Sequence, residues 1–332
     1  LKVVPVYGGS SIETQIREIK KGAQVIVATP GRLIDLLERG AVRLNHVHIV
    51  ILDEADEMLN MGFKEDLNTI LEQTPETKNT WLFSATMPQE VRFIAKNYMS
   101  NPFEVTVGTK NTTNENIEHV YYLARAKDKY QSLKRLLDFN PEIYSIVFAK
   151  TKLDCQEISD HLMKDGYNAD ALHGDLSQAQ RDRVMERFRN KSLQILVATD
   201  VAARGIDVDN ITHVINYSLP DELEVYTHRS GRTARAGKKG ICMSIVHSKE
   251  LFKIKQLENK TKTKFTKGNI PSGKEVCEKQ LFALIHQVHE VQVNDHELEE
   301  YLPSIYNELA DLSREEIIKK FASIEFNRFL NY

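Results

Sequence analysis

The sequence predicts an α/β protein with two parallel-sheet units and a small helical region after them. Short apolar runs alternate with amphipathic stretches along most of the chain, and this alternation is typical of parallel strands joined by helices. The alternation stops at a polar segment, residues 108–116, and then begins again. These observations predict a first unit over residues 1–107, a linker over 108–116, a second unit over 117–250, a basic linker over 251–275 and a helical region over 276–332.

The strands of the first unit are predicted from short apolar runs, and its helices from apolar residues that recur at a spacing of three to four. The strand runs are KVVPVY, QVIVAT, HIVILD, NTWLFSAT and FEVTV. The helical stretches are SIETQIREIKKG, GRLIDLLERG, KEDLNTILEQT and QEVRFIAKNYM. Because strands and helices alternate, we expect a parallel sheet with helices on both faces.

The second unit repeats this layout without repeating its letters. Its strand runs are IEHVYYLA, YSIVFA, NADALHG, LQILVAT, THVINYS and GICMSIV, separated by the helical stretches DKYQSLKRLL, LDCQEISDHLMKDG and SQAQRDRVMERFRN. A lysine-rich stretch with Gly and Pro follows, and we interpret it as the basic linker. The last region has the apolar spacing of helices only.

Composition narrows the class of protein. The chain has 332 residues, of which 41% are hydrophobic and 27% are charged, and its formal net charge is −3. A chain with so little net charge binds a polyanion only through a local basic patch. Cys155, Cys242 and Cys277 are far apart, which argues against disulfides or a zinc site and predicts a cytoplasmic protein. No apolar run approaches the ~20 residues of a membrane span, so we expect no membrane partner.

A cluster of carboxylates follows the strand run HIVILD. In open α/β sheets ligands bind beyond the carboxyl ends of the strands, and Asp53 and Glu54 lie there. A carboxylate in that place can hold Mg²⁺ at the phosphates of a nucleotide, and an adjacent glutamate can polarise a water for attack on the terminal phosphoryl group. The competing interpretation is a solvated turn in which Asp56 and Glu57 favour the start of a helix. These residues alone leave both interpretations open.

A nucleotide site also needs a phosphate-binding loop of the form G-x-x-x-x-G-K-[ST]. The nearest match is GNIPSGKE, which begins at Gly268. It fails because Glu275 replaces the hydroxyl residue, Pro271 interrupts the loop and no apolar strand precedes it. The chain also begins at Leu1, inside an apolar strand-like run. We therefore expect a fragment whose loop lies upstream, and we expect this piece alone to lack appreciable ATPase activity.

Three further segments follow predicted strands and carry groups that bind phosphate. TPGR, residues 29–32, opens a helix at which backbone donors and Arg32 can grip a phosphate, although a proline at the first helical position is a sufficient explanation. The hydroxyls of SAT, residues 84–86, can bond the Asp53 cluster or cap a helix. ATDVAARGID, residues 198–207, offers a hydroxyl together with Arg204, Gly205 and Asp207.

The segment HRSGRTARAGKK, residues 228–239, carries five basic residues and no acid. A solvated basic face is the usual explanation of such a run. However, Arg229, Arg232 and Arg235 are three residues apart, which predicts that they line one face of a helix. That spacing suits a guanidinium clamp on phosphates.

Taken in order, these segments resemble a known family. The chain carries GG at Gly8–Gly9 and then TPGR, DEAD, SAT, VFAKTK, HGDLSQAQR, ATDVAARGID and HRSGRTARAG. In this order and in these strand contexts they resemble a DEAD-box ATP-dependent RNA helicase of superfamily 2, over about residues 1–248. Less specifically, residues 276–332 resemble the helical dimerisation region that follows the core in some bacterial members with roles in ribosome assembly or cold adaptation.

The resemblance implies two RecA-like domains, the first incomplete here, that close on ATP and single-stranded RNA. It implies that Asp53 binds Mg²⁺ through water and that Glu54 orients the attacking water. Arg232 and Arg235 would reach the terminal phosphate. The arginine motif departs from many members at Ala234, where they have glycine, and we expect little harm because alanine is small.

The same resemblance assigns the remaining candidate residues. Those that would couple hydrolysis to strand separation are Asp56, Ser84, Thr86 and His228, and those that would bind ATP are Gly205 and Asp207. The RNA backbone would be held by Gly9, Thr29, Pro30, Gly31, Arg32, Thr151, Lys152, Gly174, Thr199 and Arg204.

The function implied is an RNA-dependent ATPase that unwinds short RNA duplexes, with ATP and Mg²⁺ as cofactors. Gripping the backbone predicts sequence-independent, salt-sensitive binding, and the 2′-hydroxyl would distinguish RNA from DNA. The expected partners are RNA, ribosomal particles and a second copy of the chain through the C-terminal helices, unless those helices pack on the second unit instead. Two alternatives stay open: a non-catalytic RNA-binding or dimerising module that lacks the phosphate loop, and a DNA helicase of the same superfamily.

Overall fold

The computed structural model describes residues 1–106, 114–291 and 298–329. The described residues fall into two compact units, one made of residues 1–106 and one that begins at residue 114. Of the predicted linker, residues 108–113 lie outside the described residues. Its last residues belong to the second unit, where Asn114 donates through Nδ2 to the carbonyl of Ala234 at 3.0 Å. Within the described ranges, no helix has the length and apolar character needed to cross a membrane.

In the first unit, short parallel strands alternate with helices. The elements are β1 (Val3–Val6), α1 (Ile12–Lys20), β2 (Val25–Ala28), α2 (Pro30–Glu38), β3 (Ile49–Leu52), α3 (Ala55–Asn60), α4 (Lys64–Glu72), β4 (Asn79–Leu82) and α5 (Gln89–Tyr98). β1 pairs in parallel with β2, and β3 pairs in parallel with β4. The first four predicted strand runs are therefore strands.

The fifth predicted strand of this unit, FEVTV, is wrong for the residues that the structure describes. Residues 103–106 are irregular, and residue 107 lies outside the described part. A strand is stable when a neighbour pairs with its backbone and packs against its side chains. Among the described residues no strand pairs with this segment, and Phe103 and Val105 are exposed.

The strands of the first unit bury only one of their two faces. Val4 and Val6 pack against helices α1 and α2, and Leu52 packs against α4 and α5. On the opposite face, Ile51 and Trp81 are exposed. The expectation of helices on both faces is therefore not met by the described residues of this unit.

The second unit contains one seven-stranded sheet in which the strand order is β11-β5-β10-β9-β6-β8-β7. Every neighbouring pair is parallel. The strands are β5 (Ile117–Leu123), β6 (Ser145–Phe148), β7 (Ala169–Leu172), β8 (Ile195–Ala198), β9 (His213–Asn216), β10 (Gly240–Val246) and β11 (Thr266–Gly268). The helices are α6 (Lys129–Asp138), α7 (Lys152–Lys164), α8 (Gln178–Arg189), α9 (Asp200–Ala203), α10 (Leu223–Ser230) and α11 (Leu251–Thr261).

Both faces of this sheet are buried, as expected for a parallel sheet covered by helices. Along β6, Ile146 and Phe148 point into one core cluster, and Val147 points into the other. All three side chains are buried. Because successive side chains of a strand point to opposite faces of the sheet, residues of one strand pack into two separate hydrophobic cores.

Residues 251–275, predicted to be a basic linker, instead form α11 and the edge strand β11. Ile254 and Leu257 on α11 are buried in the core, as is Phe265 just before β11. β11 then pairs with β5 at the edge of the sheet. The lysines obscured this pattern because most of them lie on the exposed face, while the apolar residues between them face the core.

The C-terminal region is helical, as predicted. It contains α12 (Gly273–Glu290), α13 (Leu302–Glu308) and α14 (Arg314–Phe329). A capping box between Ser272 and Glu275 starts α12, so the near match to a phosphate loop is a helix start. Cys277 is buried, and Gln280 donates through Nε2 to the carbonyl of Asp138, which fixes the first half of α12 against α6.

Candidate functional site

The acidic turn after β3 places its first two carboxylates outward. Asp53 and Glu54 are both exposed, and the Glu54 amide donates to Asp53 Oδ1 at 3.0 Å. Glu54 has a φ of 51° and a ψ of 46°, in the left-handed region that costs a non-glycine residue about 1–2 kcal/mol. The next amide, that of Ala55, donates to the carbonyl of Phe83 at 3.0 Å and holds the turn against the end of β4.

The third carboxylate of the turn, Asp56, is buried and bonded to the SAT segment. Its Oδ2 accepts hydrogen bonds from the amide and the hydroxyl of Thr86, at 2.8 and 2.7 Å. The Ser84 hydroxyl accepts from the Asp56 amide at 3.2 Å and donates to the Thr86 carbonyl at 2.6 Å. Because β3 and β4 are parallel neighbours, their carboxyl ends meet, and this brings the two segments together. Asp56 and Glu57 lie in the first turn of α3, as the competing interpretation predicted, but both are buried, so the picture of a solvated turn is wrong for them.

The other candidate residues of the first unit lie at the carboxyl ends of β1 and β2. Gly9 has a φ of +80°, which allows the chain to turn sharply after β1. Arg32, on the first turn of α2, donates through Nη1 to the carbonyl of Ser10 at 3.0 Å and to Gln15 Oε1 at 3.2 Å. The guanidinium thereby fixes the GG turn against the start of α2. Thr29 is the N-cap residue of that helix, Pro30 opens it, and Gly31 follows on the exposed side.

In the second unit, three candidate RNA-binding segments follow three neighbouring strands. β6, β8 and β7 are adjacent and parallel. Thr151 follows β6, Thr199 follows β8 and Gly174 follows β7. The sheet therefore brings together residues that are far apart in sequence, at the edge where ligands of α/β proteins bind.

Local contacts fix this edge. Thr151 caps α7: its hydroxyl accepts from the Asp154 amide at 3.0 Å, and Asp154 accepts from the Thr151 amide at 3.2 Å. Lys152 forms an ion pair with Asp175 at 2.8 Å, which links the segment after β6 to the segment after β7. Thr199 is the N-cap residue of α9, so both threonines occupy N-cap positions.

The candidate ATP-binding residues lie between α9 and β9, and they contact the arginine motif. Gly205 has a φ of +67° and turns the chain toward Asp207, which is exposed. Asp207 forms an ion pair with Arg235 through Oδ1 and Nη1 at 2.7 Å. Arg232 donates through Nη1 to the carbonyl of Ile206 at 3.1 Å. Both guanidinium groups are thus held beside the same loop.

The prediction that the three arginines line one helical face is wrong. α10 ends at Ser230, so only Arg229 lies on it, and His228 precedes it on the same turn. The chain then leaves the helix, and Ala234 has a φ of 57°, in the left-handed region that glycine adopts most readily. Arg232 and Arg235 are partly exposed, whereas Arg229 is buried.

Arg229 contacts residues that the sequence did not suggest. Its Nε and Nη2 donate to the two carboxylate oxygens of Asp200 at 2.5 and 2.8 Å. Its Nη1 donates to Asn216 Oδ1 at 2.8 Å and to the carbonyl of Ser218 at 2.7 Å. The only signal in the sequence was an acid directly after Thr199, and nothing in the letters pairs it with an arginine 29 residues later.

Three known family domains match successive parts of this chain. Residues 1–94 match the DEAD/DEAH box helicase family, residues 128–237 match the helicase conserved C-terminal domain, and residues 276–332 match "Probable ATP-dependent RNA helicase, helical domain". The structure of S. cerevisiae Dbp5 bound to RNA and ADP BeF3 superposes with a TM-score of 0.74 at 30% identity, over 84% of this chain and 74% of that one. The chain belongs to the DEAD-box ATP-dependent RNA helicase family.

Bacterial relatives of this DEAD-box family member are closer in sequence. The DEAD-box ATP-dependent RNA helicase CshA of Geobacillus kaustophilus is 48% identical over 280 residues, which are 84% of this chain and 60% of that protein. CshA of Bacillus licheniformis is 41% identical over 310 residues, which are 93% of this chain and 63% of that protein. The chain thus spans about 60% of the length of these curated relatives. Its α/β units are the two RecA-like domains of the family, and a C-terminal helical domain follows them.

Proposed function

We propose that the protein is an RNA-dependent ATPase that binds the backbone of single-stranded RNA and uses ATP hydrolysis to separate short duplexes. The observation that carries this proposal is that the acidic turn has an exposed part and a buried part. Asp53 and Glu54 are exposed at the end of β3, whereas Asp56 is buried and bonded to Ser84 and Thr86. One part of the turn is open to a ligand, and the other part is tied to the end of the neighbouring strand.

The donors at this turn fit a magnesium ion that arrives with ATP. Mg²⁺ takes oxygen ligands, keeps several waters and is usually held by one or two carboxylates together with substrate phosphates. Asp53 would hold it through water, and the bound ion would neutralise charge on the phosphates. Glu54, the adjacent exposed carboxylate, would orient the water that attacks the terminal phosphoryl group.

Arg232 and Arg235 would contact the terminal phosphate. A guanidinium is always charged and matches phosphate oxygens with paired donors. Arg235 is held by Asp207, which together with Gly205 would bind the nucleotide. We therefore expect ATP binding to break the contact between Arg235 and Asp207. Arg235 would then contact the terminal phosphate, and Asp207 would contact the ribose.

Asp56, Ser84, Thr86 and His228 would couple hydrolysis to strand separation. In support, the hydroxyls of Ser84 and Thr86 bond directly to the turn that carries Asp53 and Glu54. A change at the acidic turn would therefore move the end of β4. His228 lies next to the buried Arg229 at the end of α10, a rigidly held part of the second unit.

The RNA-binding residues would grip phosphates and sugars, and not base edges. In the second unit Thr151, Lys152, Gly174, Thr199 and Arg204 would form one such surface, supported by the adjacency of β6, β8 and β7. In the first unit the set would be Gly9, Thr29, Pro30, Gly31 and Arg32. Such contacts predict an affinity that falls steeply with salt and depends little on sequence.

Nucleic-acid-stimulated ATP hydrolysis by the full-length protein tests the activity. We expect turnover to be low alone, to rise strongly with single-stranded RNA and to rise little with DNA of the same sequence. Equal stimulation by DNA would identify a DNA helicase. RNA binding without turnover would identify a non-catalytic binding module.

The Glu54→Gln variant of the full-length protein tests the proposed catalytic group. Removing a general base is expected to lower kcat by about 10²–10⁴-fold while RNA binding is retained. Glu65→Gln is the matched control, because Glu65 is an exposed glutamate of the same unit on α4. Unchanged turnover in Glu54→Gln would remove Glu54 from the mechanism.

We also propose that the C-terminal helices form a homodimer. In support, the C-terminal region exposes many large apolar side chains: Phe282, Ile285, Val288, Tyr301, Ile305, Tyr306, Ile318, Phe321 and Ile324. Association would bury this apolar area, which is the main driving force for stable dimers.

Sedimentation of the full chain tests the dimer. Phe321→Glu is expected to shift the protein toward monomer, because it places a charge on the exposed apolar side of α14. Phe252→Glu on α11 is the matched control, since Phe252 is 56% exposed and Phe321 is 62% exposed. A monomeric wild-type protein would contradict the proposal.

The cellular setting that we propose is the cytoplasm, with ribosomal particles as partners in ribosome assembly or RNA turnover. In support, the three cysteines are unpaired and buried, as is usual for proteins of reducing compartments. Co-sedimentation of the tagged full-length protein with ribosomal particles in a cell extract, with and without ribonuclease, tests the partner.

A further inference from the structure

We infer that Asp200 and Arg229 are positioning residues. Their ion pair fixes the position of the proposed RNA-binding segment after β8 relative to Arg232 and Arg235, the arginines proposed to contact phosphate. The inference rests on the proposed function, because it assigns a mechanical role within that site. Neither residue needs to touch RNA or ATP. Their role is to keep the two ligand-binding segments of the second unit at a fixed spacing.

The geometry of the ion pair between Asp200 and Arg229 allows little movement of either side chain. Arg229 is 3% exposed, and both carboxylate oxygens of Asp200 accept from it, which restricts rotation as well as distance. Nη1 makes two more hydrogen bonds, to Asn216 and to the Ser218 carbonyl. The guanidinium carbon also lies 4.9 Å from the centre of the Phe148 ring. The side chain is therefore held by groups from α9, the end of β9 and the end of β6.

The residues that hold Arg229 and its helix in place are themselves bonded to buried residues of the core. The Asn216 amide donates to the Ser244 hydroxyl at 3.3 Å, and its other donor contact is the Cys242 sulfur at 3.5 Å. The Tyr226 hydroxyl, one turn before Arg229 on α10, also contacts the Cys242 sulfur, at 3.3 Å. Burial raises the pKa of the Cys242 thiol to about 11, so it stays neutral within this network. α10 is thus anchored to β9 and β10 by buried polar contacts.

The ion pair matters because Asp200 and Arg229 each lie next to residues that are proposed to bind ligands. Asp200 directly follows Thr199, and Arg204 lies at the other end of α9, so the carboxylate sits within the RNA-binding segment. Arg229 follows His228 and precedes Arg232, so the guanidinium sits within the phosphate-contacting segment. A displacement of α9 on RNA binding would therefore be passed to α10 through this ion pair.

An ion pair that only stabilised the fold would behave differently. Its loss would lower the unfolding temperature but would leave kcat unchanged wherever the protein stays folded. A positioning role instead predicts a lower kcat with little change in KM, because the ligands still bind but the groups are misaligned. It also predicts weaker coupling between ATP and RNA binding, which is a free energy separate from either affinity.

The test uses Asp200→Asn in the full-length protein, with Asp165→Asn as control. The two carboxylates are about equally exposed, at 32% and 33%, and Asp165 pairs with Lys134 at 2.9 Å at the C-terminal end of α7. For Asp200→Asn we expect kcat of RNA-stimulated hydrolysis to fall about 10-fold, with KM for ATP within about twofold. The tightening of RNA binding by AMP-PNP should shrink similarly. Asp165→Asn should match the wild-type protein in both measurements.

Asp200→Glu keeps the charge but shifts the carboxylate by one methylene group, and it decides the question if Asp200→Asn does not fold. We expect kcat between those of the wild-type protein and Asp200→Asn. Wild-type kcat and coupling in a folded Asp200 variant overturn the inference, as does an equal loss in Asp165→Asn. If the wild-type protein itself shows no RNA-stimulated turnover, the proposed function fails, and this inference fails with it.

Discussion

Ile51 and Ile146 are the same residue type in similar strands, and they have opposite environments. Each lies within a parallel strand of four residues, IVIL in β3 and SIVF in β6. Ile51 is 55% exposed, whereas Ile146 is 0% exposed. An apolar run therefore predicts the strand in both units, but it does not predict whether the second face of the strand is covered.

The cause lies in what packs on each sheet. In the second unit, successive residues of β6 enter two different hydrophobic cores. In the first unit, Leu52 faces α4 and α5, while its neighbour Ile51 faces outward. The comparison shows that a strand acquires its second buried face only from elements that are remote in sequence.

The largest effect is expected from the same substitution at these two isoleucines. Ile146→Ala should lower the free energy of unfolding of the second unit by about 2–5 kcal/mol, because it leaves a cavity in a closed core. Ile51→Ala should lower that of the first unit by less than about 1 kcal/mol, because half of the side chain is already in water. Urea titrations followed by far-UV CD and by Trp81, the single tryptophan of the chain, separate the two units. Equal losses would show that the outer face of β3 is covered in solution.

The next largest effect concerns pH and the buried histidines of the second unit. Burial lowers the pKa of His119 and that of His213 from 6.5 to about 4. Between about pH 6.5 and pH 4, these two histidines are therefore protonated in the unfolded chain and neutral in the folded chain. Stability contributed by the neutral histidines is complete above pH 6.5 and is lost as the pH falls toward 4, with a slope of about 1.4 kcal/mol per pH unit for each.

The measurement is the free energy of unfolding by urea between pH 7.5 and 4.5. His213→Gln should reduce the slope in this window. A slope that is the same in the variant and in the wild-type protein would mean that His213 is accessible to protons in the folded state.

A smaller effect is expected from removing one hydroxyl in each unit. Thr86→Val deletes a donor to the buried Asp56 and should destabilise the first unit by about 1.5–3 kcal/mol, as is usual for a hydrogen bond to a charged group. Thr151→Val deletes the cap of α7 and should destabilise the second unit by about 1 kcal/mol, because water replaces an exposed cap. Urea midpoints of both variants check the order, and the reverse order would contradict the burial of Asp56.

The smallest effect is expected for surface ion pairs, which should not distinguish the units. Arg39 pairs with Asp35 in the first unit, and Arg125 pairs with Asp128 in the second, both at 2.6 Å. Exposed pairs contribute little because water and salt screen them. Arg39→Gln and Arg125→Gln should leave the urea midpoints unchanged within error. A clear shift in one unit only would mean that its pair belongs to a larger network.

Much of the candidate site was predictable because its residues follow strands. Parallel strands bring their carboxyl ends to one edge, so Thr151, Thr199 and Gly174 could be expected together before the strand order was known. The contact of the SAT hydroxyls with the acidic turn was expected as one of two options, and the structure gives the partner as Asp56. The position of Arg229 was not predictable, since its spacing suggested an exposed face and its partners come from two other segments.

The sequence by itself determined the alternation of strands and helices, the order of the motifs and the helical C-terminal region. These features depend on local periodicity and on residues close together in the chain. Only the tertiary structure decided that lysine-rich residues form α11 and β11, that Asp56 is buried and that Arg229 is held by Asp200. Burial and ion pairing depend on neighbours from distant segments, and a linear pattern of residues does not specify which distant segments will meet.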